Sequence, residues 1–171
     1  MLNKEVVDKR KGFKSNKSQQ KESYRMPRIK LNEQHWYAFH YAKLLEPRDI
    51  NYGGHLGNDA LVTIVGSARV NMFRAMGLSE MDLGDGKTGI IMSDLAVNYK
   101  SEAFMFDELV IDTHVGEISR SSFRLFHRIN KGQIVVALVE TGITTFNYVL
   151  RKVVPVPEAF LNLLTERGIG K

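Results

Sequence analysis

The apolar positions change period several times along the chain, and each change marks an element. Trp36 to Leu44 reads Trp-Tyr-Ala-Phe-His-Tyr-Ala-Lys-Leu. That aromatic-rich run suits a pleated, half-buried surface and predicts a strand. Glu46 to His55 carries Pro47, Asp49, Asn51, Gly53 and Gly54, a density of turn formers that predicts a loop. From Leu56 the spacing becomes helical. Leu56, Ala60, Leu61, Ile64, Val65, Ala68, Met72, Phe73 and Met76 fall at steps of three, four and adjacent pairs, one buried stripe of a helix about 20 residues long. Asn58 or Asp59 suits its first turn, and Gly77 suits the left-handed residue after its last.

Beyond the helix the period drops to two. Ile90 to Tyr99, Glu108 to Ile118, Ser122 to Ile129 and Gln133 to Val149 are rich in β-branched and aromatic residues. Leu109, Ile111, Thr113 and Val115 alternate onto one face. Asn130-Lys131-Gly132 is a hairpin signal, and the short connectors predict antiparallel neighbours. Pro157 to Arg167, closed by Gly168, predicts a short terminal helix. The order is thus strand, long helix, four strands. A long apolar helix and an antiparallel sheet bury each other when the sheet wraps the helix. The expected class is therefore α+β, with a hotdog arrangement of an antiparallel sheet around one long central helix.

Charge divides the chain in two. Of 171 residues, 24 are Lys or Arg and 19 are Asp or Glu. Residues 1–30 alone carry +7, and the remainder carries −2. The expected organisation is a basic extension over 1–30, solvated or partly ordered, followed by one domain over 31–171. A near-neutral body gives nucleic-acid binding no electrostatic support. The chain has no cysteine, which excludes disulfides and thiolate chemistry and makes a cytoplasmic setting the natural expectation. No apolar run approaches the roughly 20 residues needed to span a bilayer. Met1 to Ser23 lacks the apolar centre of a secretory signal. Of the five histidines, His35 and His40, and His114 and His127, lie on separate elements without metal-ligand spacing, so no metal is expected.

The stretch Asp49-Ile50-Asn51-Tyr52-Gly53-Gly54-His55-Leu56-Gly57-Asn58-Asp59, followed by Ala68-Arg69, resembles the signature of the 4-hydroxybenzoyl-CoA thioesterase-like family. In words, that signature is Asp, any residue, Asp, two residues, Gly, His, an aliphatic, Asn, Asn, then a helix with an Ala-Arg pair. Val97 to Ala103 resembles the strand and turn after the helix, Ser119 to Ser122 a serine-containing strand start, and Ala137 to Phe146 the closing strand. The likeness spans Trp36 to Val149.

The resemblance implies hydrolysis of an acyl-CoA thioester to CoA and a carboxylic acid, with no cofactor. It implies a homodimer or homotetramer whose site lies between subunits, loop and helix start from one chain and strand residues from the other. It places the Asn58 amide where the family polarises the thioester carbonyl, and Asn51 where the family carries its catalytic carboxylate. A neutral amide cannot accept the proton or attack as a carboxylate does, although it can hold a water or the substrate by hydrogen bonds.

The residues around Asn51 fit that chemistry. Amides at the helix start, Leu56 to Asn58, would aim at a developing oxyanion, and such donors contribute about 3–4 kcal/mol to acyl transfer. Tyr52, Gly54, Leu56 and Gly57 would line the substrate, the glycines allowing close backbone approach. Asp49, Asp59 and His55 are candidate bases, and Asp94, among Ile90, Ile91, Met92 and Leu95, is a fourth if burial raises its pKa. Ser121 and Ser122 suit a pantetheine arm; Lys100, Arg120, Arg124 and Arg128 suit the CoA phosphates. Arg69 is expected to bridge helix and loop. Two other functions stay open: a module that binds acyl-CoA or acyl carrier protein without turnover, and an enoyl-CoA hydratase. For the hydratase, the interval from Asp49 to His55 is one residue too long.

Overall fold

The computed structural model describes residues 29–169. The expected basic extension therefore lies outside the described residues, apart from Ile29 and Lys30. Six strands form one antiparallel sheet: β1 (Phe39–Leu44), β2 (Gly89–Tyr99), β3 (Glu108–Ile118), β4 (Ser122–Lys131), β5 (Ile134–Asn147) and the two-residue β6 (Lys152–Val153). The strand order is β1-β3-β4-β5-β2, with β6 pairing to the end of β5. Two helices, α1 (Asn58–Ala75) and α2 (Glu158–Glu166), complete it. No helix among the described residues is long and apolar enough to cross a membrane.

The predicted elements survive with trimmed ends. The first strand begins at Phe39, because Trp36 and Tyr37 belong to a strap over the outer face of the sheet. Along that strap the Leu31 amide donates to the Asn98 side chain of β2, Glu33 pairs with Arg128 of β4, and Trp36 stacks edge-on to His114 of β3. α1 begins two residues later than the apolar period indicated, since Leu56 and Gly57 stay extended in the loop. It runs for 18 residues and ends at Gly77, which takes φ +76°. The 3-10 turn at Pro47–Asp49 and strand β6 are too short to carry a periodic signal.

Burial follows the alternation. Leu109, Ile111, Thr113 and Val115 of β3 are fully buried, as are Phe123, Leu125 and Ile129 of β4. The first half of α1 (Leu61, Ile64, Val65, Ala68) packs with Leu109, Ile111, Ile129 and Val139. The second half (Met72, Phe73, Met76) packs with Phe123, Leu125 and Ile143, and with Phe160 and Leu164 of α2. Two helices, not one, thus fill this face of the sheet. Phe160 sits 5.2 Å from Phe123 and 6.3 Å from Phe73, ring centre to ring centre. Each such side chain contributes about 1.5–3 kcal/mol of burial energy. Together these packed faces fix where α1 starts, and the site is built there.

Candidate active site

The loop before α1 is closed on itself by its own backbone. Ile50 bridges Leu56, the Asn51 amide donates to the His55 carbonyl at 2.9 Å, and the Gly54 amide donates to Asn51 O at 3.0 Å. The Asn51 side chain completes the turn, its Oδ1 accepting from the Gly53 amide at 2.8 Å, the Asx arrangement that short polar residues favour. Gly54 sits at φ +78°, a conformation that a side chain would strain. Two further amides are consumed by neighbours: Leu56 N–H by the Ala103 carbonyl and Gly57 N–H by the Asp49 carbonyl, both at 2.8 Å.

Those last two bonds correct an expectation. The amides of Leu56 and Gly57 are not free for a ligand. At the helix start, Asn58 is the first residue whose amide has no acceptor among the described residues, and the N-cap Gly57 offers no side-chain cap; the Tyr52 and His55 amides in the loop have no acceptor either. The free donors and the positive end of the helix dipole therefore begin at Asn58. Asn58 lines a pocket of about 280 Å³ with His55, Leu56, Tyr99, Lys100 and Glu102. The Leu56–Ala103 bond holds the two walls of this pocket together, although the residues are distant in sequence.

Within the loop the Asn51 amide nitrogen lies 3.4 Å from His55 Nδ1. Gly53 fixes which end of the Asn51 amide is the oxygen, so His55 Nδ1 lies between a donor, the Asn51 amide nitrogen, and an acceptor, the Leu56 carbonyl at 3.3 Å. Asp59 is near as well: a Cβ added at Gly57 would meet Asp59 Oδ1 at 2.7 Å and Asn51 Cβ at 3.7 Å, so glycine is what lets these two groups approach. Tyr99, across the pocket, has its phenol pKa raised by partial burial.

A model of the thioesterase-like superfamily matches residues 45–164, which contain the loop, α1, most of α2 and five of the strands. The chain belongs to the thioesterase-like superfamily. No curated protein sequence matches it. Among solved structures it is similar to a 1,4-dihydroxy-2-naphthoyl-CoA thioesterase from Synechocystis, with TM-score 0.67 and 15% identity over 75% of this chain and 96% of that one. It is also similar to a gentisyl-coenzyme A thioesterase, with TM-score 0.65 and 20% identity over 72% and 98%. A Staphylococcus aureus protein in complex with CoA gives TM-score 0.70 and 14% identity over 82% and 90%. At these identities the likenesses establish the fold: an antiparallel sheet and two helices of the hotdog type.

Against that family, the other sequence candidates divide. Asp49 is engaged within its own turn. Its Oδ2 accepts from the Glu46 amide at 2.9 Å and lies 3.2 Å from Lys43 Nζ. With Glu46 it forms a capping box around the 3-10 turn, so this carboxylate braces the loop. Asp94 is not the buried, raised-pKa acid envisaged. It sits on the outer face at a β-bulge, gripped by Arg124 through 2.9 and 2.7 Å bonds, and that pairing lowers its pKa. Arg124 is spent on Asp94 and, at 2.7 Å, on Glu140, and Arg128 is shared between Glu33 and Asp112. Neither is a free phosphate ligand. Arg69 does bridge helix and loop, binding Glu80 at 2.6 Å. Tyr52 is fully exposed at the loop tip.

Arg120, Ser121 and Ser122 lie at the other end of the sheet. Ser122 pairs with Thr144, eight residues along β5 from the pocket wall at Val136, roughly 26 Å at 3.3 Å per residue. One chain alone does not bring them to the pocket. Conversely, Glu102 lines the pocket, a position that the sequence pattern does not mark. Nothing in the spacing ties the Lys100-Ser101-Glu102-Ala103 turn to His55.

Proposed function

We propose that this chain hydrolyses acyl-CoA thioesters to CoA and a carboxylic acid, at the pocket where α1 begins. The observation that carries this is the unpaired Asn58 amide at a helix start, opening into a pocket that also holds His55. A thioester carbonyl seated there would have its developing oxyanion stabilised by a donor already in place, and such preorganised donors are where acyl-transfer catalysis gains most. α1 is then the central helix of the hotdog and the sheet is its wrapping. Residues 31–171 form one domain and 1–30 a basic extension.

The same reading favours a homodimer or tetramer. β2 is a sheet edge that exposes Ile91, Met92, Leu95 and Tyr99. Exposed apolar edges invite strand pairing, and a second copy along β2 would cover them. Arg120, Ser121 and Ser122 would then serve a neighbouring copy's pocket, holding pantetheine and phosphate, while Lys100 serves from within. The likenesses to CoA thioesterases support the substrate class.

The test is thiol release from a panel of straight-chain and aromatic acyl-CoAs, followed with a thiol-reactive dye. Release with saturation kinetics is expected. Measurable CoA binding with no release from any member of the panel would leave a binding module instead.

A further inference from the structure

We propose that Glu102 is the general base of the reaction, an inference that rests on the thioesterase function proposed above. Hydrolysis needs a group that takes a proton from water, and the Asn51 amide cannot. The carboxylates near the loop are excluded one by one. Asp49 is held by the Glu46 amide and Lys43. Asp94 is held by Arg124 on the outer face. Asp59 stands in the first turn of α1 but does not line the pocket. Glu102 alone among the carboxylates lines the pocket with His55 and Asn58.

Its mounting is firm. On one side the amides of Lys100 and Ser101 donate to the Val136 carbonyl at 2.9 and 3.2 Å, and Ser101 Oγ donates to the Val135 carbonyl at 2.8 Å. On the other, the buried Ala103 accepts from Leu56 at 2.8 Å. The backbone around Glu102 is thus pinned to β5 and to the catalytic loop together, the rigid support that a catalytic group requires. Glu102 is exposed, open to solvent and to a ligand, whereas Asp49, Asp94, Asp107, Asp112, Glu33 and Glu80 are each held in an ion pair.

The step balances as follows. Glu102 takes a proton from water as the water oxygen bonds to the thioester carbon. The carbonyl π pair moves onto oxygen, facing the Asn58 N–H. The intermediate collapses, re-forms the C=O bond and breaks C–S, and the departing thiolate receives the proton from Glu102. Water is consumed, and a carboxylic acid and the CoA thiol leave.

The test compares the full-length wild type with Glu102→Gln and Glu102→Asp on benzoyl-CoA and hexanoyl-CoA. Positioned bases contribute about 100-fold or more. Glu102→Gln should therefore lose about 100-fold in kcat with KM and CoA affinity little changed, and should lose the acid limb of the wild-type kcat/KM–pH profile. Glu102→Asp should keep that limb and recover part of the rate. Glu102→Gln within about threefold of wild type, or an acid limb that persists in it, overturns the proposal and leaves the thioesterase function standing. A wild type that releases no thiol from either substrate overturns both.

Discussion

His127 offers a sharp test of how this fold tolerates its own polar interior. It lies on the face of β4 that α1 and α2 cover, wholly buried. Its Nδ1 is bonded to Thr113 Oγ1 at 2.9 Å, and its Nε2 has no partner among the described residues. Burial, with a smaller contribution from Arg69, pushes its pKa down to about 3. The unfolded value is about 6.5. A folded pKa below the unfolded one means that the neutral ring's contribution is complete above pH 6.5. It is lost progressively as pH falls from 6.5 toward 3. Each pH unit in that window costs about 1.4 kcal/mol, so from pH 7.5 to 4.5 this one residue removes about 2.7 kcal/mol. The perturbation is His127→Gln, which leaves a hydrogen-bonding group for Thr113 but nothing to titrate. Urea unfolding at several pH values, for wild type and variant, cancels the contribution of the surface carboxylates. The wild type should lose about 2.7 kcal/mol more than the variant over that span. Parallel pH dependences would refute the reasoning and show that water or a rearranged partner reaches the buried ring.

Three further outcomes follow from the site. Gly54→Ala forces a side chain onto a φ of +78°; it should lower stability by about 1–2 kcal/mol in urea titration and depress kcat/KM. Asp94→Asn removes a half-exposed ion pair on the outer face; it should change stability by less than about 1 kcal/mol and leave kcat/KM within about twofold, measured by thiol release. Asn51→Asp puts a carboxylate 3.4 Å from His55 Nδ1 while an oxygen still accepts the Gly53 amide; a thermal melt should show the unfolding midpoint little changed from wild type.

The sequence reveals most of the skeleton because the skeleton is built from local periodicity. The steps from Leu61 to Phe73 and the alternation from Leu109 to Val115 are each imposed by one buried face, so they can be counted off directly. Asp49 is legible in the sequence either as a base or as a loop brace: Glu46-Pro47-Arg48-Asp49 has the capping residue, the proline and the acid of a single helical turn, and the structure forms that capping box. Asp94 and Arg124 stand 30 residues apart, and only the pairing of β2 and β4 with β5 brings them within 2.7 Å. Glu102 could not be found by spacing at all. It joins His55 through one backbone bond, Leu56 to Ala103, which the pairing rules of the sequence do not specify.

That wiring explains how the loop keeps its shape with asparagine at position 51. The backbone of the turn asks one thing of that side chain, an oxygen to accept the Gly53 amide. An aspartate oxygen and an asparagine oxygen satisfy it equally, so exchanging one for the other moves charge without moving atoms. The amides of Asn51, Gly53, Gly54, Leu56 and Gly57 are all consumed in holding the turn, and at the helix start the first donor left over among the described residues is Asn58. Under the proposed function, oxyanion stabilisation at Asn58 would depend on the closure of the loop and not on the charge at position 51. Proton transfer does depend on charge, and a carboxylate anywhere on the pocket wall can supply it if its backbone is held as firmly as the loop is. The two requirements of thioester hydrolysis are thus separable in this fold. The Asn51→Asp and Glu102→Gln variants together test that separation: a double variant active at a rate comparable to wild type would show that the pocket accepts its base from either wall, while an inactive one would tie catalysis to the Glu102 side alone.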